Sequence, residues 1–307
     1  MLHQGLVDAL KRELIGVPHL DFLLDVALRG RTTFKIGGSA KVFLVPKTPE
    51  ALKAALSSLS SHGIGYHIIG AGSNVLIGDQ GLDCVVDIGG LNWVRELDGC
   101  TIEVGAGVRL KRLLPLLIKK GLSGIEDLSG IPGTLGGAVA MNAGANGVCM
   151  EDVVKEVLIV DQSGLRWMSR EEMGFGYRTA GAIERQDAVV AGARLKLRKS
   201  NPKRMQQRIK AIMRRRYKRQ PLGGKSAGCI FKNPAEIPAG ALIEASGLKG
   251  YHVGDAYVSR RHANFILNRK DARAKDVVEL VWRVREKVFK DHGIWLEPEV
   301  KGFGVRL

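Results

Sequence analysis

The chain has 307 residues, of which 45% are hydrophobic and 25% are charged, and this balance excludes an intrinsically disordered protein. Forty-seven Lys and Arg residues against 31 Asp and Glu residues give a formal net charge of +16, which predicts an anionic ligand or surface without identifying it. Glycine is abundant, at 39 residues, so tight loops are expected where the backbone approaches a ligand closely.

Cysteine usage and the N-terminal segment both indicate an intracellular protein. The four cysteines are widely spaced and form no CxxC pair, so neither a zinc ribbon nor a disulfide scaffold is predicted. Charged residues between positions 8 and 13 interrupt the apolar stretch that a signal peptide needs. No apolar run is long enough to span a membrane. We therefore expect a cytoplasmic protein, without a metal site and without a membrane partner.

Short strands and helices alternate along the first 125 residues. β-branched runs bounded by Gly, Pro or Asp predict strands, and amphipathic runs that start at Pro or stop at Gly predict helices. The strands are expected at 41–45, 66–69 and 84–88, and the helices at 49–61 and 110–120.

The remainder of the chain predicts longer elements. Alternating apolar and polar residues at 153–161 and 189–197 are typical of strands in a sheet that is wet on one side. Asn201 suits an N-cap and Pro202 suits the first helical position, so a helix ending near Arg219 is expected. A strand at 264–268 and a helix capped by Asp271 and extending to about residue 290 follow.

These elements predict an α+β fold built from three regions. Residues 1–90 and 91–200 are expected to form a two-part α+β module, and residues 201–307 a smaller α+β domain.

Two glycine-rich segments are candidates for binding phosphate. The first, Gly70-Ala71-Gly72-Ser73-Asn74, follows a predicted strand and can point backbone N–H groups at an anion, although a plain tight turn is the alternative. The second has four glycines, one proline and two hydroxyls within ten residues, which favours a rigid loop able to hold a pyrophosphate. Its candidate binding residues are Ser129, Gly130, Ile131, Pro132, Gly133, Thr134, Gly136 and Gly137, followed by Asn142 and Ala143.

In this order, the two segments resemble the flavin-binding module of the p-cresol methylhydroxylase and vanillyl-alcohol oxidase type. Three further motifs narrow the resemblance: Gly176-Tyr177-Arg178, SAGCIFKNP at 226–234 and LEPEV at 296–300. Together they are similar to the UDP-N-acetylenolpyruvoylglucosamine reductase family, which serves bacterial peptidoglycan synthesis. The resemblance extends from Thr32 to Glu299, which is nearly the whole chain.

The resemblance implies bound FAD, held between the first two regions, and NADPH as a transient reductant. By the same resemblance, residues 201–307 bind the substrate and their last residues return to the active site. It also implies that the enolpyruvyl group of a UDP-sugar receives a hydride from flavin N5 at C3 and a proton at C2, which gives UDP-N-acetylmuramate. In that reaction Arg178 corresponds to the cation that stabilises the developing charge, Cys229 to the proton donor and Glu299 to a third group that orients the intermediate. The better-known members of the family carry serine at this position and a subset carries cysteine, and a thiol releases a proton more readily than an alcohol.

Each catalytic candidate has a plainer alternative. Arg178 could be a surface arginine in a turn, and Cys229 could be a buried structural cysteine, which is the usual fate of a lone cysteine. Glu297 is a second carboxylate two residues before Glu299, and only the family pattern favours the latter.

The helix at 202–219 carries nine cations and no acid. Taken alone it could bind nucleic acid or be a solvated face, but it lacks aromatic interleaving and no nucleic-acid motif accompanies it. The resemblance instead suggests that Lys218 and Arg219 lie near the UDP pyrophosphate. It also makes Asn233 and His262 candidate substrate contacts, although His262 could equally be a hydrogen-bonded core histidine.

Two departures from the family pattern stand out. Lys225 occupies a position where many relatives carry proline, which predicts a less rigid loop before Cys229. The stretch between Arg178 and Cys229 is short and resembles the compact form of the family, without the tyrosine-bearing loop that covers the substrate in the long form.

Two other functions are weighed against this reading. A different oxidase built on the same flavin module would keep the glycine segments but would not need Arg178, Cys229 and Glu299 together. A basic nucleic-acid-binding protein would explain the net charge alone. The sequence favours the reductase, with no nucleic acid and no obligate protein partner.

Overall fold

A computed structural model, which describes residues 2–307, divides the chain into two compact units. The first contains the chain up to Leu24 together with Val42–Ala71 and Asp83–Arg214, and the second contains Asp25–Lys41, Gly72–Leu82 and Arg215–Leu307. The units therefore interleave along the sequence, whereas the three regions expected from the sequence are continuous ranges.

Three of the longer helices coincide with the predicted ranges, namely those starting at Pro49, Leu110 and Pro202. The Asn201 side chain accepts a hydrogen bond from the backbone N of Lys203 at 2.8 Å, so it caps the third of these as expected. The helices are α1 (Gln4–Leu14), α2 (Pro49–Ser61), α3 (Leu110–Lys120), α4 (Leu135–Ala140), α5 (Gly181–Arg185), α6 (Pro202–Arg219), α7 (Ala239–Ala245) and α8 (Ala274–His292).

The strands of the first half of the chain are short apart from the first two. They are β1 (Leu20–Ala27), β2 (Ser39–Pro46), β3 (His67–Ile69), β4 (Val75–Ile77), β5 (Leu82–Asp87), β6 (Val94–Asp98), β7 (Thr101–Gly105), β8 (Leu122–Ser123), β9 (Gly144–Ala145) and β10 (Val148–Cys149).

The second half contains two long strands and several short ones. They are β11 (Val154–Asp161), β12 (Gly164–Ser169), β13 (Phe175–Gly176), β14 (Thr179–Ala180), β15 (Val189–Lys196), β16 (Arg198–Lys199), β17 (His252–Val253), β18 (Ala256–Val258), β19 (Ile266–Asn268) and β20 (Lys301–Phe303).

Three sheets carry most of the fold. The largest is antiparallel, in the order β12-β11-β15-β7-β6, and a four-stranded sheet has the order β1-β2-β5-β3. The second unit has a three-stranded antiparallel sheet, β17-β18-β19, and a parallel pair, β4 with β20. This mixture of helices and strands confirms the predicted fold class.

Each unit has its own hydrophobic core. In the first, residues 157–160 of β11 and 189–193 of β15 are all buried, so the prediction that these strands expose one side to solvent is wrong there. The reason is that helices cover the sheet, with α2 packed against β11 and β12 and α4 packed against β15 and β7. The core of the second unit gathers Phe34, Leu76, Phe231, Ile266 and the buried side of α8.

The start of α8 also differs from the prediction, because Asp271 does not cap it. The helix begins after Arg273, and the carboxylate of Asp79 accepts hydrogen bonds from the backbone N of Ala274 at 3.0 Å and of Lys275 at 3.4 Å. Asp271 instead pairs with Arg29. A local carboxylate also contributes, because Asp276 in the first turn accepts from Arg273 N at 2.9 Å. The helix start is therefore capped both locally and by a residue far away in the sequence, and both carboxylates place negative charge at the positive end of the helix.

Within residues 2–307, no helix combines the length and the apolar character needed to cross a bilayer.

Candidate active site

In the first unit, the two glycine-rich segments lie against each other. Gly70 follows β3, and a side chain here would collide with the hydroxyl of Thr134. Thr134 is the N-cap of α4, where its Oγ1 accepts a hydrogen bond from the backbone N of Gly137 at 3.4 Å. The backbone at Gly70 is therefore adjacent to the positive end of a short buried helix.

Backbone hydrogen bonds to residues 106 and 108 hold the second glycine segment in place. Leu135 N donates to the carbonyl of Val108, and Gly136 N donates to the carbonyl of Ala106, both at 2.8 Å. The amide of Gly136, one of the candidate binding residues, is therefore already used within the protein. Among residues 2–307, the segment keeps three amides that make no hydrogen bond with the protein: those of Gly130, Gly133 and Thr134.

Asn142 connects this region to the hairpin that carries Arg178. It is buried, its Nδ2 donates to the carbonyl of Gly176 at 3.1 Å, and its Oδ1 accepts from the backbone N of Glu151 at 3.0 Å. Gly176 pairs with Thr179 across β13 and β14. The two residues between them, Tyr177 and Arg178, therefore form the tip of the hairpin.

Arg178 has a backbone conformation that is unusual for a residue with a side chain. Its φ is +59°, in the left-handed region, which costs about 1–2 kcal/mol for a residue other than glycine. Its guanidinium lies 5.1 Å from the ring centre of Tyr177, and the side chain is half-buried. A strained backbone that aims a cation is typical of functional positions.

The rest of the first glycine motif, Gly72 to Asn74, belongs to the second unit. Gly72 has a φ of +61°, and a Cβ here would overlap the backbone of residues 31 and 32, so only glycine fits. Thr33 N donates to the Gly72 carbonyl at 2.9 Å, and Thr33 Oγ1 lies 2.7 Å from the carbonyl of Ser226. Thr33 thus links the glycine turn to the segment that leads into Cys229.

Cys229 lies in an extended segment that is paired on both sides. It forms a single antiparallel bridge with Phe265, and Phe231 forms another with Pro298. Between them, Ile230 N donates to the carbonyl of Asn264 at 2.9 Å and the Ile230 carbonyl accepts from Glu299 N at 2.7 Å. The structure therefore brings the backbones of Cys229 and Glu299 side by side.

The geometry separates the two competing glutamates. Glu297 is a surface residue, with a side chain that is 69% exposed and an ion pair to Lys232 at 2.5 Å. The backbone of Glu299 is fixed twice, by its bond to Ile230 and by Asn74 Nδ2, which donates to the Glu299 carbonyl at 3.1 Å.

Arg216, at the end of α6, is a residue that the sequence analysis missed. Burial lowers the pKa of Arg216, and attraction to the Cys229 thiolate opposes that shift, so the two side chains act on each other. The expected contacts of this helix end, Lys218 and Arg219, are exposed. Arg216 could have been found because it continues the inward-facing stripe of Met205, Ile209 and Ile212.

The other two predicted substrate contacts, Asn233 and His262, each accept a hydrogen bond from the protein backbone. Asn233 is exposed, and its Oδ1 accepts from the backbone N of Ala239 at the start of α7 at 3.1 Å. The ring of His262 packs edge-on against Phe265, and its Nδ1 accepts from the backbone N of Asn264 at 3.3 Å. Burial lowers the pKa of His262, which favours the neutral ring that this bond requires.

Lys225 is anchored despite the absence of a proline. Its carbonyl accepts from Asn268 N at 2.9 Å, and its Nζ lies 3.3 Å from the carbonyl of Lys270. Within residues 2–307, no three His, Cys, Asp or Glu side chains form a group that could hold a metal ion.

Three amides of the second glycine segment, those of Gly130, Gly133 and Thr134, are donors suited to an anion such as a phosphate, and the matching families define the class as an FAD-binding oxidoreductase. Residues 40–168 match the family described as FAD binding domain. Residues 220–303 match the C-terminal domain of UDP-N-acetylenolpyruvoylglucosamine reductase.

Curated relatives agree over nearly the full length. The UDP-N-acetylenolpyruvoylglucosamine reductase of Alkaliphilus oremlandii is 39% identical over 290 residues, covering 94% of this chain and 95% of the relative. That of Bacillus subtilis is 38% identical, covering 92% and 94%. The crystal structure of the Thermus caldophilus reductase matches with a TM-score of 0.80 at 37% identity, covering 92% of this chain and 99% of the other. The chain belongs to the UDP-N-acetylenolpyruvoylglucosamine reductase family.

Proposed function

We propose that the protein reduces the enolpyruvyl group of UDP-N-acetylglucosamine enolpyruvate to a lactyl ether, which gives UDP-N-acetylmuramate. The observation that carries the proposal is the pairing of the Cys229 and Glu299 segments through Ile230, within the region that matches the reductase C-terminal domain. The names and near-complete coverage of the relatives support the same substrate.

The glycine segments fit the phosphates of FAD. Gly70 provides backbone where a side chain would collide, and the amides of Gly130, Gly133 and Thr134 are donors that no protein group uses. Bound FAD supplies the redox chemistry that links a nicotinamide reductant to the substrate. The remaining residues assigned to this site are Ala71, Gly72, Ser73, Asn74, Ser129, Ile131, Pro132, Gly136, Gly137, Asn142 and Ala143.

Cys229 is the proposed donor of the proton to C2 of the substrate. A general acid must lose its proton during the reaction, and the adjacent Arg216 cation stabilises the thiolate that remains. The glycine before it has a φ of +82°, which turns the chain sharply just ahead of the thiol.

Arg178 and Glu299 are proposed to act on the charge that develops during reduction. The guanidinium is a permanently charged fork that suits a carboxylate, and stabilising developing charge is usually the largest contribution to catalysis. Glu299 is assigned the orientation of the intermediate, and its doubly fixed backbone supports that role.

The UDP group is assigned to the basic end of α6. Lys218 and Arg219 are exposed cations there, with Asn233 and His262 as further contacts. NADPH is proposed as the reductant, visiting the substrate site transiently. The four cysteines form no disulfide, which supports a reaction in the reducing cytoplasm.

An absorption spectrum followed by an anaerobic titration tests the proposal. The purified protein should show flavin bands, lose them on addition of NADPH, and regain them when the enolpyruvyl nucleotide is added. Flavin bands that do not respond to this nucleotide would indicate another oxidase of the same module. A colourless protein that binds nucleic acid would contradict both the cofactor and the reaction.

A further inference from the structure

The backbone around Cys229 is not part of a regular sheet. Three segments, 229–232, 264–265 and 297–300, lie side by side, joined by isolated bridges and a few backbone hydrogen bonds and not by a continuous ladder. An extended segment without a full ladder needs other hydrogen bonds to fix its position. Here a side chain provides them.

That side chain is Asn264, which is 2% exposed. Its Oδ1 accepts from Phe231 N at 2.9 Å, and its Nδ2 donates to the Phe231 carbonyl at 2.8 Å. Its own carbonyl accepts from Ile230 N at 2.9 Å. Asn264 therefore makes three bonds to the two residues after Cys229, in the manner of a neighbouring strand.

We propose that Asn264 is the positioning residue of the proton-transfer step, a role that rests on the function proposed above. The backbone of Ile230 bonds to Asn264 on one edge and to Glu299 on the other. The position of Ile230, which Asn264 fixes, therefore sets the place of both the Cys229 thiol and the Glu299 carboxylate. If the thiol and the carboxylate were misplaced by a fraction of an ångström, protonation of the substrate would slow, whereas reduction of the enzyme by NADPH would not be affected.

The geometry requires a group that is both donor and acceptor. An ionised carboxylate in place of the amide would still accept from Phe231 N, but it would face the Phe231 carbonyl without a proton to donate. A protonated carboxyl group has both functions and nearly the shape of the amide. The substitution Asn264→Asp thus makes the position of the thiol depend on pH. If Asn264 had a purely structural role, the effect of pH would fall on both half-reactions and not on one alone.

The test measures the two half-reactions of Asn264→Asp and of the unmodified enzyme by stopped-flow spectroscopy, from about pH 5 to about pH 9. Reduction by NADPH should match the unmodified enzyme throughout. Reoxidation by the enolpyruvyl nucleotide should be at least about tenfold slower at about pH 8. It should recover as the pH falls, because burial raises the pKa of a carboxyl group above its ordinary value of about 3.9.

Asn268→Asp is a matched control in the same unit. Asn268 is 4% exposed, and its amide also bonds on both sides, with Nδ2 donating to the Phe34 carbonyl at 3.1 Å and Oδ1 accepting from Ala272 N at 3.0 Å. This variant should lose stability to a similar degree but show no selective loss of reoxidation. Equal behaviour of the two variants, or a loss shared by both half-reactions of Asn264→Asp, would overturn the proposal.

A second variant guards against poor folding of Asn264→Asp. Asn264→Ser keeps a hydroxyl near Phe231 and should show an intermediate, selective loss of reoxidation; unchanged reoxidation would count against the proposal. Cys229→Ala distinguishes a failure of the proton-donor role of Cys229 from a failure of the positioning role of Asn264. If it leaves reoxidation intact, the proposed proton donor is wrong; if it slows reoxidation while both Asn264 variants do not, only the positioning role is wrong.

Discussion

The side-chain amide of Asn74 donates a hydrogen bond to the backbone carbonyl of Glu299 at 3.1 Å. The same residue accepts from Lys301 N through its own carbonyl at 3.0 Å, and β4 then pairs with β20 in parallel. A residue of the glycine motif assigned to the cofactor thus also fixes the chain on both sides of a candidate catalytic carboxylate. Asn74 therefore links, within the second unit, a motif assigned to the cofactor and a segment assigned to proton transfer.

We therefore expect Asn74→Ala to affect more than cofactor binding. The lost hydrogen bond should reduce the free energy of unfolding by about 1 kcal/mol, and in FAD-saturated enzyme reoxidation by the substrate should slow several-fold. Rapid-mixing kinetics of both half-reactions would measure this. Lys232→Ala is the control, because it breaks only the surface ion pair with Glu297, and such pairs contribute little. Normal reoxidation in Asn74→Ala would contradict the link.

Gly70 and Gly65 provide a test of the cofactor cradle. A Cβ at Gly70 collides with the Thr134 hydroxyl, whereas nothing lies within 4 Å of a Cβ at Gly65, five residues earlier. Gly70→Ala should therefore lower the flavin content of the purified protein at least about tenfold relative to Gly65→Ala, since close backbone approach is lost. Flavin content is read from the ratio of visible to ultraviolet absorbance. Full flavin content in Gly70→Ala would place the cofactor elsewhere.

Cys229 should be needed for only one of the two half-reactions. Cys229→Ala should slow reoxidation by roughly 10²-fold or more while leaving reduction by NADPH nearly intact, because a general acid contributes about that much. Cys229→Ser should keep much of the activity, since the hydroxyl of serine can also donate a proton. Cys149→Ala, a half-buried cysteine of the other unit, is the control. An equal loss in both half-reactions of Cys229→Ala would indicate a structural cysteine.

Sequence signals that act over a few residues predicted their elements well. The helices α2, α3 and α6 start or stop at Pro49, Gly121 and Asn201, which act on the adjacent backbone alone. The part of the α8 cap that Asp79 provides could not be predicted, because Asp79 lies nearly 200 residues before the helix, whereas Asp276 in the first turn is a local signal. The prediction that β11 exposes one side to solvent was wrong for a related reason, because the helix α2 that covers it comes from a distant part of the chain.

The residues of the candidate site also fall into those that local sequence signals could predict and those that they could not. The motifs around Arg178, Cys229 and Glu299 could be recognised because each is a local string of residues. Thr33 and Asn264, which hold the Cys229 segment in place, were missed because their partners are 193 and 33 residues away. A threonine or an asparagine has no local pattern that announces such a bond, so only the folded chain identifies it.

Arg216 gives the remaining prediction, which concerns pH. Attraction between the Arg216 cation and the Cys229 thiolate favours the ionised thiol, so it holds the pKa of Cys229 below the value that it would have without the cation. A proton donor is active only while protonated, and reoxidation should therefore decline as the pH rises through that pKa. In Arg216→Gln the thiol should keep its proton to higher pH, so the decline should move to higher pH.

The measurement is the pH profile of the reoxidation rate in single turnover, with the profile of NADPH reduction as an internal reference. Lys210→Gln removes a cation from the exposed side of the same helix and should leave the decline where it is, because solvent screens that charge. At low pH, where the thiol is protonated in both enzymes, Arg216→Gln should also be slower, since the thiolate formed on proton transfer has lost its stabilising charge. A profile of Arg216→Gln that coincides with that of Lys210→Gln would show that Arg216 does not act on the thiol.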